Sequence, residues 1–243
     1  MTKPNSSLIG RIRQLGLAAL LTTGLTSQAQ SILYDGHTDV GIDYDSALNA
    51  WNLHVHHEVT DTEYSPPSDA VLFVKNSALG TVPAGAPWSF LGAAGSDLWI
   101  LPKVQDPNLL FLGFGAEEIA AGTFLNDQFT MSLKGVTGPG NFAVFDTDSF
   151  DNPVVWMNSA DGINGSDSRV LPSGDHSHVN WGFTAPGDYT VLFEASAFRA
   201  SDSQFTTSGD VAYTFRVEAV PEPSPIAFAS LIGVALAAWR QRK

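Results

Sequence analysis

The strongest constraint in this chain is a two-residue rhythm. Short runs of apolar residues, several alternating with polar ones, recur between breaks rich in Gly and Pro. They are Trp51–His57 (WNLHVHH), Ala70–Lys75 (AVLFVK), Phe129–Leu133, Phe142–Phe145, Tyr189–Phe198 (YTVLFEASAF) and Val211–Glu218 (VAYTFRVE). A period of two describes β-strands with one buried face. Helical character is confined to a turn or so near Ala116–Ala121, where Glu117 and Glu118 suit a helix N-terminus. The 22 Gly and 14 Pro supply the turns that such a chain needs. The expected fold is all-β: an Ig-like β-sandwich with long loops, with a jelly roll as the alternative. Phe183–Val191 (FTAPGDYTV) favours the sandwich. Its Pro-Gly makes a turn, and Tyr189 just beyond it is placed to pack down and hydrogen-bond back, as in a tyrosine corner.

Composition then excludes several functions. Hydrophobic residues at 44% and charged residues at 15% are incompatible with a disordered polyanion. The absence of cysteine removes disulfides, thiol chemistry and cysteine-held metals. With 25 acids against 12 bases and a net charge of −13, the chain is not suited to nucleic acid, whose phosphates demand Lys and Arg.

The ends read as addresses. Residues 1–29 have the form of a signal peptide. Lys3, Arg11 and Arg13 lead, Leu15–Leu25 is the apolar stretch, and Ser27-Gln28-Ala29 offers small residues at a cleavage site. At the other end Pro221-Glu222-Pro223 precedes the apolar run Ile226–Trp239 and the basic cluster Arg240-Gln241-Arg242-Lys243. A helix over that run spans only about 20 Å, against a hydrocarbon core of about 30 Å. Its basic end would stay cytoplasmic. This order of tripeptide, short apolar helix and basic cluster resembles the PEP-CTERM sorting signal. The resemblance implies a Gram-negative bacterium that makes extracellular polysaccharide. It also implies an exosortase-type membrane protease as partner, and transient membrane anchoring through the tail before processing. Between the ends, residues 30–220 form one expected domain with 24 acids and 6 bases, a balance of −18. Such a surface favours solubility and attracts cations.

All six histidines fall in three short clusters: Asp35-Gly36-His37-Thr38-Asp39, His54-Val55-His56-His57-Glu58, and Asp175-His176-Ser177-His178. On a strand, residues i and i+2 share a face. His54 and His56 therefore look one way and His57 the other; His176 and His178 share a face, as do His37 and Asp39. Imidazole is the commonest side-chain metal ligand. Without cysteine, a transition-metal site here must use His and carboxylate. The candidates are His37, Asp39, His54, His56, His176 and His178, with Glu58 as a further carboxylate, and the expected ion is Zn2+ or a similar divalent metal. Histidines merely solvated or hydrogen-bonded on exposed strands are the plain alternative.

The stretch from Gly36 to Ala197 resembles the choice-of-anchor M domain, related to the repeat of actinobacterial surface-anchored proteins. The matching pieces are GHTDV (36–40), WNLHVHHE (51–58), FLGAAGSDLWILPKVQDPNLLFLGFGAEEI (90–119), LKGVTGPGNFAVF (133–145) and HSHVNWGFTAPGDYTVLFEASA (176–197). In the actinobacterial relatives such domains accompany metal-uptake ABC transporters, which implies a metal-handling role at the surface. The family's His and Asp positions map onto the six candidates above. Lys103 departs from the Gln expected after Leu-Pro. The resemblance supplies no catalytic residues.

Other chemistries have weaker footing. No G-x-S-x-G elbow is present, and no pair of acids is singled out for a glycosidase. A zinc hydrolase using Glu58 as base stays open as an alternative. The oxygen-rich loops Asp146–Asn152 and Asp161–Asp167 do not follow the EF-hand pattern and read as turn chemistry rather than calcium sites. Trp51, Trp88, Trp99, Trp156 and Trp181 are candidates to stack on sugars, extracellular polysaccharide being the second expected partner. The expectation is thus an exported, non-enzymatic protein of the cell surface or extracellular matrix. It binds a zinc-like ion through clustered histidines, or else is a structural or carbohydrate-binding matrix component without metal.

Overall fold

The computed structural model describes residues 29–220, so the expected signal peptide, save Ala29, and the whole Pro221-Glu222-Pro223 tail lie outside the described residues. The described chain is all-β, with seventeen strands in three sheets. The first sheet carries, in order, Ser31–Leu33, Ala70–Val74, Val211–Val217, Gly187–Phe198, Gln128–Thr137 and Ser168–Pro172, with Phe205–Thr207 also paired to Gly187–Phe198. The second runs Pro153–Asn158, Phe142–Thr147, Asn180–Phe183, Asp97–Leu101, Leu79–Thr81. The third runs His176–His178, Leu110–Gly115, Gly36–Asp45, Ala50–His57, Thr62–Tyr64.

The six runs read as strands are strands. The helical reading near Ala116–Ala121 is corrected: that segment is a turn closed by Ile119 N–H donating to Ala116 O at 3.0 Å. Its two glutamates follow a strand end rather than begin a helix. Short 3-10 turns lie instead at Pro67–Asp69, Asn76–Ala78, Ala86–Leu91 and Leu125–Asp127.

One apolar core is shared by all three sheets. Phe114 of the third sheet lies 5.0 Å from Trp181 of the second and 6.3 Å from Phe193 of the first, ring centre to ring centre. Full burial of such side chains stabilises by about 1.5–3 kcal/mol each. Two buried polar groups stitch the third sheet to the others. Trp181 Nε1–H donates to Leu112 O at 3.0 Å, and the Tyr213 hydroxyl donates to His54 O at 3.2 Å. Both satisfy donors that burial would otherwise penalise.

The Tyr189 hydroxyl donates to Ala185 O at 2.8 Å, four residues upstream across the Pro-Gly turn. The phenol ring itself is buried. Tyr189→Phe removes this bond and leaves the carbonyl short of a partner. It should cost about 1 kcal/mol, read as a lower urea midpoint with unchanged slope. An unchanged midpoint would show that the corner contributes nothing.

Candidate metal centre

Alternation builds the site. In Gly36–Asp45, Val40, Ile42 and Tyr44 enter the core, while His37, Asp39 and Gly41 stand on the opposite face. Leu53 and Val55 do the same against His54 and His56, and Leu110, Leu112 and Phe114 against Phe111, Gly113 and Gly115. Register then aligns the outward residues into rows. His178, Gly113, Asp39, His56 and Glu63 face one another across five strands. Beside them run His176, Gly115, Gly41 and His54.

The glycines leave room for the rings. A Cβ on Gly113 would come within 2.6 Å of Asp39 Oδ1 and 3.1 Å of the His178 ring, and one on Gly41 would fall on the His54 ring. The edge strand is braced to the turn before it: Ala116 N–H donates to Asp175 O at 2.8 Å and Gly174 N–H to Ala116 O at 3.1 Å. That brace sets Glu117 beside His176, and the Glu117 carboxylate meets His176 Nδ1.

Four of the six candidates converge. His37 Nε2 lies 3.0 Å from His176 Nε2 and 3.0 Å from His178 Nε2. The Asp39 oxygens lie 3.3 Å from His37 Nε2 and 3.3 Å from His176 Nε2. Donors around a tetrahedral zinc with bonds of about 2.0–2.1 Å are separated by about 3.3 Å. His37, Asp39, His176 and His178 can therefore hold a metal ion.

The donor set also explains itself poorly without a cation. A neutral ring nitrogen either gives one hydrogen or accepts one, so His37 Nε2 cannot serve both neighbouring nitrogens well. Asp39 is 2% exposed and its Oδ1 has no hydrogen-bond partner. Burial raises its carboxyl above the usual range, offset by His176 and His37. Burial, then His37 and His176, pushes His178 down to about 4. The Glu117 carboxylate at Nδ1 would orient the His176 ring with Nε2 turned to the ion, an arrangement common around metals. The His178 ring also stacks on Phe111 with centres 3.5 Å apart.

The other two candidates do not join this group. His56 stands on the same face but pairs elsewhere, with Nδ1 3.1 Å from Glu58 and Nε2 3.4 Å from Asp61. Glu58 is thereby occupied as the partner of His56. His54, also 2% exposed, groups with Glu63 and Glu118. Burial is the main cause that raises the Glu118 carboxyl, followed by Asp43. His57 turns away from His54 and His56 and contacts the Thr60 hydroxyl at 2.8 Å. Sequence reasoning missed Glu63, Glu117 and Glu118 as site residues. The one signal available was Gly113 and Gly115 at a spacing of two, matching His176 and His178.

The competing sites fare differently. Trp99 and Trp181 are core residues and cannot stack on a sugar. Trp51 stacks on Phe124 at 4.9 Å, and Arg169 lies 4.2 Å over Trp156. The acidic loops act as turns: Asp148 Oδ1 accepts from Phe150 N–H and Asn152 N–H, and the Asp167 carboxylate accepts from Asn158 N–H and Asn164 N–H. No protein-family model, curated protein or solved structure matches this chain.

Two outcomes follow from the geometry. Glu117→Gln should weaken zinc binding by about 10- to 100-fold, the usual effect of losing an orienting partner, as read by competition with a chelating dye. Unaltered affinity would remove Glu117 from the site. For the metal-free chain, His178 titrates lower folded than unfolded. Stability present above about pH 6.5 is therefore lost as pH falls towards 4. His178→Gln should flatten that decline in the thermal midpoint, and an identical decline would assign it to other groups.

Proposed function

We propose that this is an exported, non-enzymatic surface or matrix protein that holds one zinc-like divalent ion through His37, Asp39, His176 and His178. The observation that carries the reading is the meeting of three imidazole nitrogens and a buried carboxylate at 3.0–3.3 Å. Four protein donors complete a tetrahedral shell, the form of a structural site, whereas catalytic zinc keeps a position open for water. That favours holding the ion over the zinc-hydrolase alternative. Nitrogen-rich donors favour zinc, nickel or copper over magnesium or calcium.

The remaining parts of the reading come from the sequence. The middle of the chain is taken as a choice-of-anchor M domain of Ig-like sandwich type, a reading supported by the tyrosine corner at Tyr189. Residues 1–29 would direct export. Pro221-Glu222-Pro223 would direct processing by an exosortase-type protease after transient anchoring, leaving the protein at the surface or in the matrix of a Gram-negative bacterium. The balance of −18 over residues 30–220 would draw cations towards the site.

The direct test is metal analysis and melting of the full chain. Zinc at 100-fold over its dissociation constant should add about 2.7 kcal/mol of stability, hence about 5–10 °C in the midpoint. His37→Ala with His178→Ala should abolish the shift. Affinity should fall in acid, because protons compete with the ion for the imidazole nitrogens. A wild-type midpoint unmoved by excess zinc would refute the proposal. So would a shift that survives the double substitution.

A further inference from the structure

The same sheet face carries a second group of donors, and its chemistry is different. His54 lies flat over Gly41 on the Ala50–His57 strand. Glu63 projects from the neighbouring edge strand, paired opposite His56. Glu118 comes from the turn after Leu110–Gly115, the turn that also supplies Glu117 to His176. One donor atom of each of His54, Glu63 and Glu118 lies within 4.8 Å of the other two.

Three observations set this group apart from an ordinary acidic patch. First, His54 is 2% exposed, and its Nδ1 makes only a long 3.4 Å approach to Asn52 O. Second, a small cavity of about 20 Å³ lies against His54 and Glu118 and reaches Asp39 and Glu117, with Gly41 and His56 also in its wall. That is room for roughly one water or one ion. Asp39, whose Oδ1 makes no hydrogen bond and lies 3.3 Å from His176 Nε2, forms part of that wall. Third, no Lys or Arg among the described residues pairs with these acids. Of the six Lys and Arg side chains among the described residues, five pair with other acids and Arg169 lies over Trp156. Glu63 and Glu118 are exposed and screened by water, and a cation between them and the buried imidazole would gain the attraction of both.

We propose that His54, Glu63 and Glu118 form a second divalent-cation site beside the three-imidazole group, and that it prefers a harder ion such as manganese. One nitrogen and two carboxylates suit Mn2+, whereas three nitrogens and one carboxylate suit zinc. The face would then carry two unlike ions side by side. This site is built from its own residues and stands apart from the proposal for His37, Asp39, His176 and His178.

The test uses the full chain, made metal-free, given one equivalent of zinc and then titrated with Mn2+. Free aquated Mn2+ is followed by electron paramagnetic resonance. One equivalent of manganese should bind. Glu63→Gln with Glu118→Gln should weaken that binding at least tenfold while the zinc count stays at one. His54→Gln should act likewise, which guards against a double variant that fails to fold. Wild-type chain that takes up no manganese would overturn the inference and leave the zinc reading untouched. Manganese binding that is indifferent to both variants would overturn it too. A chain that takes no zinc, yet binds manganese through Glu63 and Glu118, would uphold this site and refute the other.

Discussion

Along Gly36–Asp45 every second side chain enters the core, and those between stand on the far face of the same sheet. Two further strands of that sheet keep the same alternation, and the edge strands His176–His178 and Thr62–Tyr64 place their donors in register with them. The core and the donor groups are therefore two sides of one object. Shifting one strand by a single residue would carry its donors into the core and its apolar residues into the site. The large apolar investment beneath the sheet, from Val40 and Ile42 to Phe114, is what holds the register against that slip.

On that face, space is made by glycine and filled by imidazole. Gly41, Gly113 and Gly115 sit in register with the histidines and provide a floor without side chains. The rings can then lie across neighbouring strands and reach donors that belong to different parts of the chain. His37 and His176 are 139 positions apart, yet their nitrogens meet at 3.0 Å. Such crowding of imidazole nitrogens about a buried carboxylate suits a cation held between them.

Much of this was legible beforehand. Val191, Phe193 and Ala195 alternate cleanly, so Gly187–Phe198 could be read as a strand, and Tyr189 could be placed at its corner. The shared faces of His37 with Asp39, and of His176 with His178, follow from parity alone. Gly36–Asp45 and Leu110–Gly115 were harder to see, because Gly and Asp in GHTDVGIDYD and LFLGFG carry turn signals. Here those residues serve the site instead. Which clusters would meet was not legible at all. It depends on a parallel pairing of Gly36–Asp45 with Leu110–Gly115 and on a three-residue edge strand added later in the chain. No local pattern encodes either. For the same reason His54 and His56, identical in spacing to His176 and His178, ended with other partners. Glu117 and Glu118, which suit a helix start by charge, lie in a turn that hands one carboxylate to each donor group.

The central claim concerns the ligands of one ion, and X-ray absorption at the zinc edge of the full chain loaded with a single equivalent reads them directly. The account predicts four nitrogen or oxygen neighbours at about 2.0–2.1 Å, with outer scattering from three imidazole rings. A six-fold shell of oxygen, or a spectrum without imidazole scattering, would contradict it.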